Sequence, residues 1–361
     1  LNLSAEFNIA NVLVAPLDWG LGHATRCIPL IRALLDSGRR VIIATSGPQR
    51  QLLEAEFPQC RYLDLPGYQV RYASSRGWLP FKIISQLPRL MRVIRKEHQW
   101  LERIIQEERI DLVISDNRYG LYTKQVPAVF ITHQLTIQTP YDWLTRWVQR
   151  INYRYINRFN ACWVPDAAAE NGLGGALSHP QRKPVIPVHY MGWLCRFEKS
   201  SQPARYDLVF LLSGPEPQRT LLEEAVIAAI ASVPGKFALV RGLPGLTSTL
   251  KLPEKVDVFT HLPTAELSAL LQSTQLVVCR SGYTSLMELL YLQVPLLLVP
   301  TPGQTEQEYL AEYLSKAGYA RQVGQEQLNA AAIADAIPAR AVMPVERFSR
   351  ERLEQLLRAL S

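Results

Sequence analysis

The sequence lacks the cysteine pattern of a disulfide-stapled or zinc-bound fold. Its five cysteines, Cys27, Cys60, Cys162, Cys195 and Cys279, are odd in number, scattered, and without a CxxC pair. They supply neither a disulfide framework nor a zinc site, and a reducing cytoplasmic setting is the expectation. No uninterrupted apolar run reaches the ~18 residues that a membrane span requires. No Asp-x-Asp pair is suited to holding a diphosphate through a magnesium ion, so neither metal nor other cofactor is expected. A zinc-finger pattern and the aromatic pair of an RNA-recognition fold are also missing, which argues against nucleic acid. Residue 1 is leucine, which leaves the native start and a removed signal peptide open.

What is present is 361 residues with 48% hydrophobic content, enough for two globular domains. The net charge of +7 is unevenly placed. Residues 1–200 hold 25 Lys/Arg against 16 Asp/Glu, whereas residues 201–361 hold 14 against 16. The first half therefore carries +9 and the second −2. A basic first half implies an anionic partner, and without a nucleic-acid signature the expected one is a phospholipid surface or a polyprenyl phosphate.

The most informative stretch is 276–309. A buried strand over 276–279 breaks at Arg280-Ser281-Gly282-Tyr283-Thr284-Ser285, and an apolar-periodic helix follows with one acid, Glu288. A second strand over 295–299 stops at Pro300-Thr301-Pro302-Gly303, and another helix opens around Gln304, Thr305, Gln307 and Glu308. Each turn offers free backbone N–H groups at the positive end of a helix dipole, which suits phosphate. Ser281, Thr284 and Ser285 add hydroxyls, and Glu288 is placed to accept hydrogen bonds from a ribose. Either turn alone reads as an ordinary capped connection; the two together point to a nucleotide-sugar site.

The chain starts with a strand over 11–15, a turn Gly20-Leu21-Gly22-His23, and a helix ended by Ser37-Gly38. Gly20 and Gly22 let the backbone approach a ligand, and His23 projects from the first helical turn. The strand at 41–44 is followed by Ala44-Thr45-Ser46-Gly47 rather than an acid, so dinucleotide binding is not expected. A further strand over 111–115 ends at Asp116. A sugar hydroxyl needs a base to take its proton, and histidine titrates in the right range. A second glycine loop, Ser213-Gly214-Pro215-Glu216-Pro217-Gln218-Arg219, follows a strand over 207–212. Its two prolines remove backbone donors, and Arg219 or the Gln218 side chain is expected to compensate.

Two stretches suit an amphiphilic partner. Residues 77–96 mix Trp78, Phe81, Leu87 and Met91 with Lys82, Arg89, Arg92, Arg95 and Lys96, part irregular lid and part basic amphipathic helix. In 141–159, Arg146, Arg150, Arg154 and Arg158 recur every fourth residue as one helical stripe, beside Trp147, Ile151, Tyr155 and Phe159. The plain alternative for both is a core-facing helix with a solvated basic face.

These motifs resemble GT-B glycosyltransferases of family 28, the group that includes the N-acetylglucosaminyltransferase acting on lipid I. The resemblance rests on Gly20-x-Gly22-His23, Cys279-Arg280-Ser281-Gly282, Glu288, Val294-Pro295, Val299-Pro300 and Gln307. It implies an α/β GT-B fold: two Rossmann-like doubly wound domains facing a cleft, over 1–198 and 199–340, with a last helix in 341–361 crossing back to the first. It implies a base, His23, oriented by Asp116, which stabilises its protonated form. It implies a ribose on Glu288, sugar hydroxyls on Gln307 and its neighbour, a base clamp at the Leu262 turn, and diphosphate at Arg280 and the second glycine loop. His133-Gln134 lies where the family lines its acceptor side, with Trp78, Arg146 and Arg150 as further acceptor-side candidates. Where the family has Gln-Gln, this chain has Gln307-Glu308, which leaves the sugar open. The expected activity is inverting, metal-independent transfer from a UDP-sugar to a hydroxyl acceptor, lipid-linked or membrane-associated, by a cytoplasmic protein peripheral on the membrane's inner face. A UDP-sugar 2-epimerase and a non-catalytic nucleotide-sugar binder are the alternatives.

Overall fold

The computed structural model describes residues 9–65, 67, 79–139, 141–243, 250–336 and 341–360. The chain forms two compact units, one of Leu1–Leu194 with Val345–Ser361 and the other of Cys195–Pro344. The first is built on β1 (Asn11–Pro16), β2 (Arg40–Ala44), β3 (Arg61–Leu63), β4 (Leu112–Asp116), β5 (Ala128–Ile131), β6 (Ala161–Val164) and β7 (Val188–Tyr190). Among the described residues these make one parallel sheet in the order β3-β2-β1-β4-β5-β6-β7. Its central strands are unbroken apolar runs, such as Val12-Leu13-Val14-Ala15, because helices cover both faces and leave no polar side.

Strand order reverses between β1 and β4, and in such a sheet ligands lie beyond the carboxyl ends at that point. The helices that matter there are α1 (Leu21–Asp36), α2 (Gly47–Glu56), α3 (Leu79–Glu108) and α4 (Asp142–Ile156). α3 is one continuous helix from Leu79, so the stretch to Lys96, expected as part irregular lid and part basic amphipathic helix, is helical from that residue on. The chain's last helix packs on α1, burying Leu353, Leu356 and Leu357, while Arg39 holds Glu354 in a two-pronged ion pair of 2.6 and 2.9 Å.

The second unit repeats the plan with β8 (Tyr206–Leu211), β9 (Phe237–Val240), β10 (Val256–Phe259), β11 (Thr274–Cys279), β12 (Leu296–Leu298) and β13 (Arg321–Gln322). Its parallel order among the described residues is β10-β9-β8-β11-β12-β13, with the reversal between β8 and β11. The helices α5 (Gln218–Ile230), α6 (Thr264–Gln272), α7 (Tyr283–Leu292) and α8 (Thr305–Lys316) connect them. α8 is a single helix. After β13 come a 3-10 turn, Gln325–Gln327, and the short α9 (Ala330–Asp335), capped by the Asn329 side chain. The last helix, α10 (Arg350–Arg358), starts where the Ser349 side chain caps it.

Candidate active site

In the first unit Pro16 of β1 and Asp116 of β4 are register partners, so the loop to α1 and the Asp116 carboxylate emerge together at the switch point. Gly20 makes that turn with φ 74°, a left-handed value that favours glycine, and a β-carbon there would meet no heavy atom within 4 Å. Gln49 of α2 fixes the loop, its Nε2 donating to the carbonyls of Asp18 at 2.9 Å and Gly20 at 3.1 Å. Gly22 is tied to α1 through its carbonyl, which accepts from the Thr25 hydroxyl at 3.1 Å.

His23 and Arg26 stand three residues apart on α1 and share a face. His23 places Nδ1 3.0 Å from Asp116 Oδ2. Arg26, fully buried, donates Nε–H to the same oxygen at 2.9 Å and an Nη2 proton to Oδ1. Its Nη1 stands 2.9 Å from Nδ1 of buried His133, just beyond β5. Gln134 turns at the same strand end, its backbone N–H donating to the Thr132 hydroxyl at 3.0 Å. Burial would raise the Asp116 carboxyl, but the charges of Arg26 and then His23 outweigh it and hold the group well below the ordinary 3.8. For His23, burial and the Arg26 charge together outweigh Asp116 and lower it from the ordinary 6.5. Asp116 itself favours the protonated imidazole, as expected; burial and the neighbouring Arg26 oppose it.

In the second unit Leu211 of β8 and Cys279 of β11 are register partners, and the loops to α5 and α7 leave side by side. Gly214 (φ 114°) and Gly282, the residue before α7, both face open space, with no heavy atom within 4 Å of a built β-carbon. Pro217, Gly282 and Gln304 precede α5, α7 and α8, and none lends a side chain to the first turn of its helix. Thr284, Ser285 and Thr305 sit in those first turns, Thr284 buried and the other two half-buried. Two polar side-chain atoms at this edge, Thr301 Oγ1 and Gln218 Oε1, are buried and have no hydrogen-bond partner among the described residues. Unsatisfied buried oxygens beside the uncapped starts of α7 and α8 make a surface ready for a hydroxyl-rich, anionic ligand, whereas in the first turn of α5 Thr220 N donates to Glu216 Oε2 at 3.2 Å.

Residues 243–353 match the glycosyltransferase family 28 C-terminal domain. An uncharacterized glycosyltransferase of Methanosarcina mazei is 24% identical over 324 residues, 84% of each chain. The UDP-N-acetylglucosamine–N-acetylmuramyl-(pentapeptide) pyrophosphoryl-undecaprenol N-acetylglucosamine transferase of Shouchella clausii is 22% identical, covering 85% of this chain and 84% of its own. The crystal structure of the kitacinnamycin glycotransferase superposes with a TM-score of 0.63 at 17% identity, over 98% of this chain and 95% of that one. The chain is a glycosyltransferase of GT-B fold that carries a family 28 C-terminal domain.

In this glycosyltransferase several side chains expected at the donor are committed elsewhere. Arg280 is fully buried and turns inward: Nη1 donates to the carbonyls of Val299 and Pro300, both at 3.1 Å, and Nη2 to Gln218 O at 2.8 Å and Gln325 Oε1 at 2.7 Å. It brackets the β12 loop and α5, and burial lowers it to about 10. Arg219 is likewise held within the protein, by Glu216 at 2.5 Å and by Glu223, which Arg241 also pairs. The Ser281 hydroxyl donates to Gln307 O at 2.7 Å, and Gln307 Oε1 accepts from Thr301 N at 2.9 Å, so both side chains shape the turn. Glu308 Oε1 accepts from Gly303 N at 2.9 Å. Leu262 is buried in the turn before α6.

Glu288 is buried, and its Oε1 accepts from Arg196 Nε at 2.8 Å, while Arg196 Nη1 reaches the Thr264 hydroxyl at 3.3 Å. Burial outweighs Arg196 and raises the Glu288 carboxyl. Arg196 and Arg26 are the residues that sequence reasoning missed. Arg26 had a signal, its i+3 spacing from His23; Arg196, 92 residues from Glu288, had none. Trp78 lies outside the described residues.

Arg146 and Arg150 stand on the exposed face of α4 with Trp143 and Trp147, which are 57% and 38% exposed. These four and Leu144 line an open hollow of about 320 Å³. Arg146, Arg150 and Arg154 form no ion pair among the described residues, whereas Arg158 stacks over Tyr122 and Tyr155. No helix among the described residues is long and apolar enough to cross a membrane.

Proposed function

We propose that this glycosyltransferase moves a sugar from a uridine diphosphate donor to a hydroxyl of a lipid-linked acceptor, with inversion and without a metal ion. The observation that carries the reading is His23 backed by Asp116 at the end of β4. With Nδ1–H donated to that carboxylate, Nε2 is the bare nitrogen and accepts the acceptor's proton. The acceptor oxygen then bonds to the sugar's anomeric carbon as the bond to the diphosphate breaks, the diphosphate leaving with the electron pair. The charge it gains is met by the starts of α7 and α8. Glu288 takes the ribose once Arg196 shares it, and Gln307 and its neighbours order the sugar-facing turn. The uridine and lipid assignments draw support from the printed activity of the Shouchella clausii relative.

The test is a panel of nucleotide sugars scored by nucleotide release with and without a polyprenyl-linked acceptor. Release of UDP that requires acceptor is the expected result. Interconversion of the donor without acceptor would instead identify an epimerase, and binding without turnover a sensor.

The exposed Trp and Arg face of α4 supports peripheral contact with an anionic membrane surface on the cytoplasmic side. Each interfacial arginine contributes about 1 kcal/mol to such binding, so R146E/R150E should weaken vesicle binding by roughly 30-fold or more. Co-sedimentation with phosphatidylglycerol vesicles checks this. Binding that ignores the substitutions, or that persists in high salt, would remove the membrane assignment.

A further inference from the structure

Arg26 is an unusual neighbour for a catalytic base. It is buried, it lies within the first two turns of α1, and its guanidinium touches three titratable side chains at once: Asp116 of β4, His23 of its own helix, and His133 after β5. The only other titratable group at this cluster among the described residues is Cys27, whose sulfur is 3.7 Å from Asp116 Oδ2. Burial is the main reason the Cys27 thiol is pushed well up, so it stays neutral.

We propose that Arg26 is a positioning residue that holds Asp116 as an already neutralised partner, so that His23 rests as an unprotonated base with its proton on Nδ1. This rests on the reading of His23 as the base. The geometry gives the reason. Nδ1 of His23 lies 3.0 Å from Asp116 Oδ2 and 2.9 Å from Arg26 Nη2, and one nitrogen cannot donate to the first while accepting from the second. A guanidinium forked over both carboxylate oxygens directs its protons to Asp116, and His133 fixes its far arm by accepting from Nη1 at 2.9 Å. Nδ1 is then left to donate to Asp116, and Nε2 is the nitrogen that carries no proton. The fork also sets the charge: Asp116 with Arg26 sums to zero, so an imidazolium gains little from the carboxylate and is repelled by the guanidinium. An isolated His–Asp pair would do the reverse, raising the imidazole's affinity for a proton.

The test is the pH dependence of kcat/KM for the full-length enzyme, wild type against R26Q and R26K. The wild type should show an acid limb below 6.5, the ordinary histidine value. R26Q removes the charge, and the limb should rise by about one pH unit, so that its kcat/KM falls several-fold further at pH 6 than at pH 8.5, a one-unit rise giving at most ~10-fold. R26K keeps the charge but not the fork; its limb should stay with the wild type while kcat drops. A purely structural role would lower activity evenly across pH, and an unmoved limb in R26Q overturns the proposal. If R26Q fails to fold, nitrogen-15 NMR of the wild-type imidazoles decides: His23 should titrate below 6.5 with its proton on Nδ1, and titration at or above 6.5 overturns the proposal. Failure of the underlying reading looks different: a wild type with no acid limb, or an H23Q enzyme with wild-type turnover.

Discussion

H23A should lower kcat by about 10²–10⁴ while leaving the affinity for UDP within a factor of two. The size follows from the chemistry. A sugar hydroxyl is a poor nucleophile until its proton has somewhere to go, and general base catalysis is worth that range. The selectivity follows from the fold: His23 belongs to the first unit, whereas the helix starts proposed to hold the diphosphate belong to the second. The stability of the first unit should change little, because His23 is partly exposed and Arg26 still satisfies Asp116 without it. Acceptor-dependent UDP release together with calorimetric titration of UDP separates the two effects. An H23A enzyme within threefold of wild type would show that another group takes the proton. Equal losses in turnover and UDP affinity would place His23 on the donor instead.

The fold was legible where burial imposes a pattern. Val12-Leu13-Val14-Ala15 and Leu276-Val277-Val278-Cys279 are central strands, covered on both faces, and a continuous apolar run announces them. The edge strand β13 has two exposed residues, Arg321 and Gln322, and no composition could reveal it, since only the backbone of β12 defines it. β6 is four residues long and follows an arginine-rich helix, so its apolar pattern merged with the helix's own buried face. The site shows the same division. A glycine turn before a helix fixes where His23 projects, because backbone geometry sets it locally. Where an arginine points is often not local: Arg26 and Arg280 lie near expected anion sites, yet are drawn to a carboxylate and carbonyls at the ends of other strands, whereas Arg219 is held by Glu216 and Glu223 of its own loop and helix. A planar cation with five donors serves a phosphate or a set of buried oxygens equally well, and the sequence does not distinguish them.

Arg280 gives that ambiguity a sharp test. If its role is to bracket the second unit, R280M should destabilise the protein by about 3–5 kcal/mol. The estimate comes from leaving buried acceptors unpaired at about 1–3 kcal/mol each, with partial relaxation and entry of water. Four oxygens lose their donor: those of Val299, Pro300, Gln218 and the Gln325 side chain. For a unit of this size such a loss corresponds to a fall in Tm of roughly 6–20 °C. R280K should rescue little, since one ammonium cannot span carbonyls on both the β12 loop and α5. UDP affinity should fall as well, because the bracket fixes the loop that carries Thr301 and the start of α5. Saturating UDP should then recover part of the lost Tm, as binding to the folded form alone must. A direct phosphate ligand would behave in the opposite way. Its removal would leave the Tm of the unliganded protein unchanged or raised, abolish the stabilisation by UDP, and be largely restored by lysine, which meets a phosphate as a point charge.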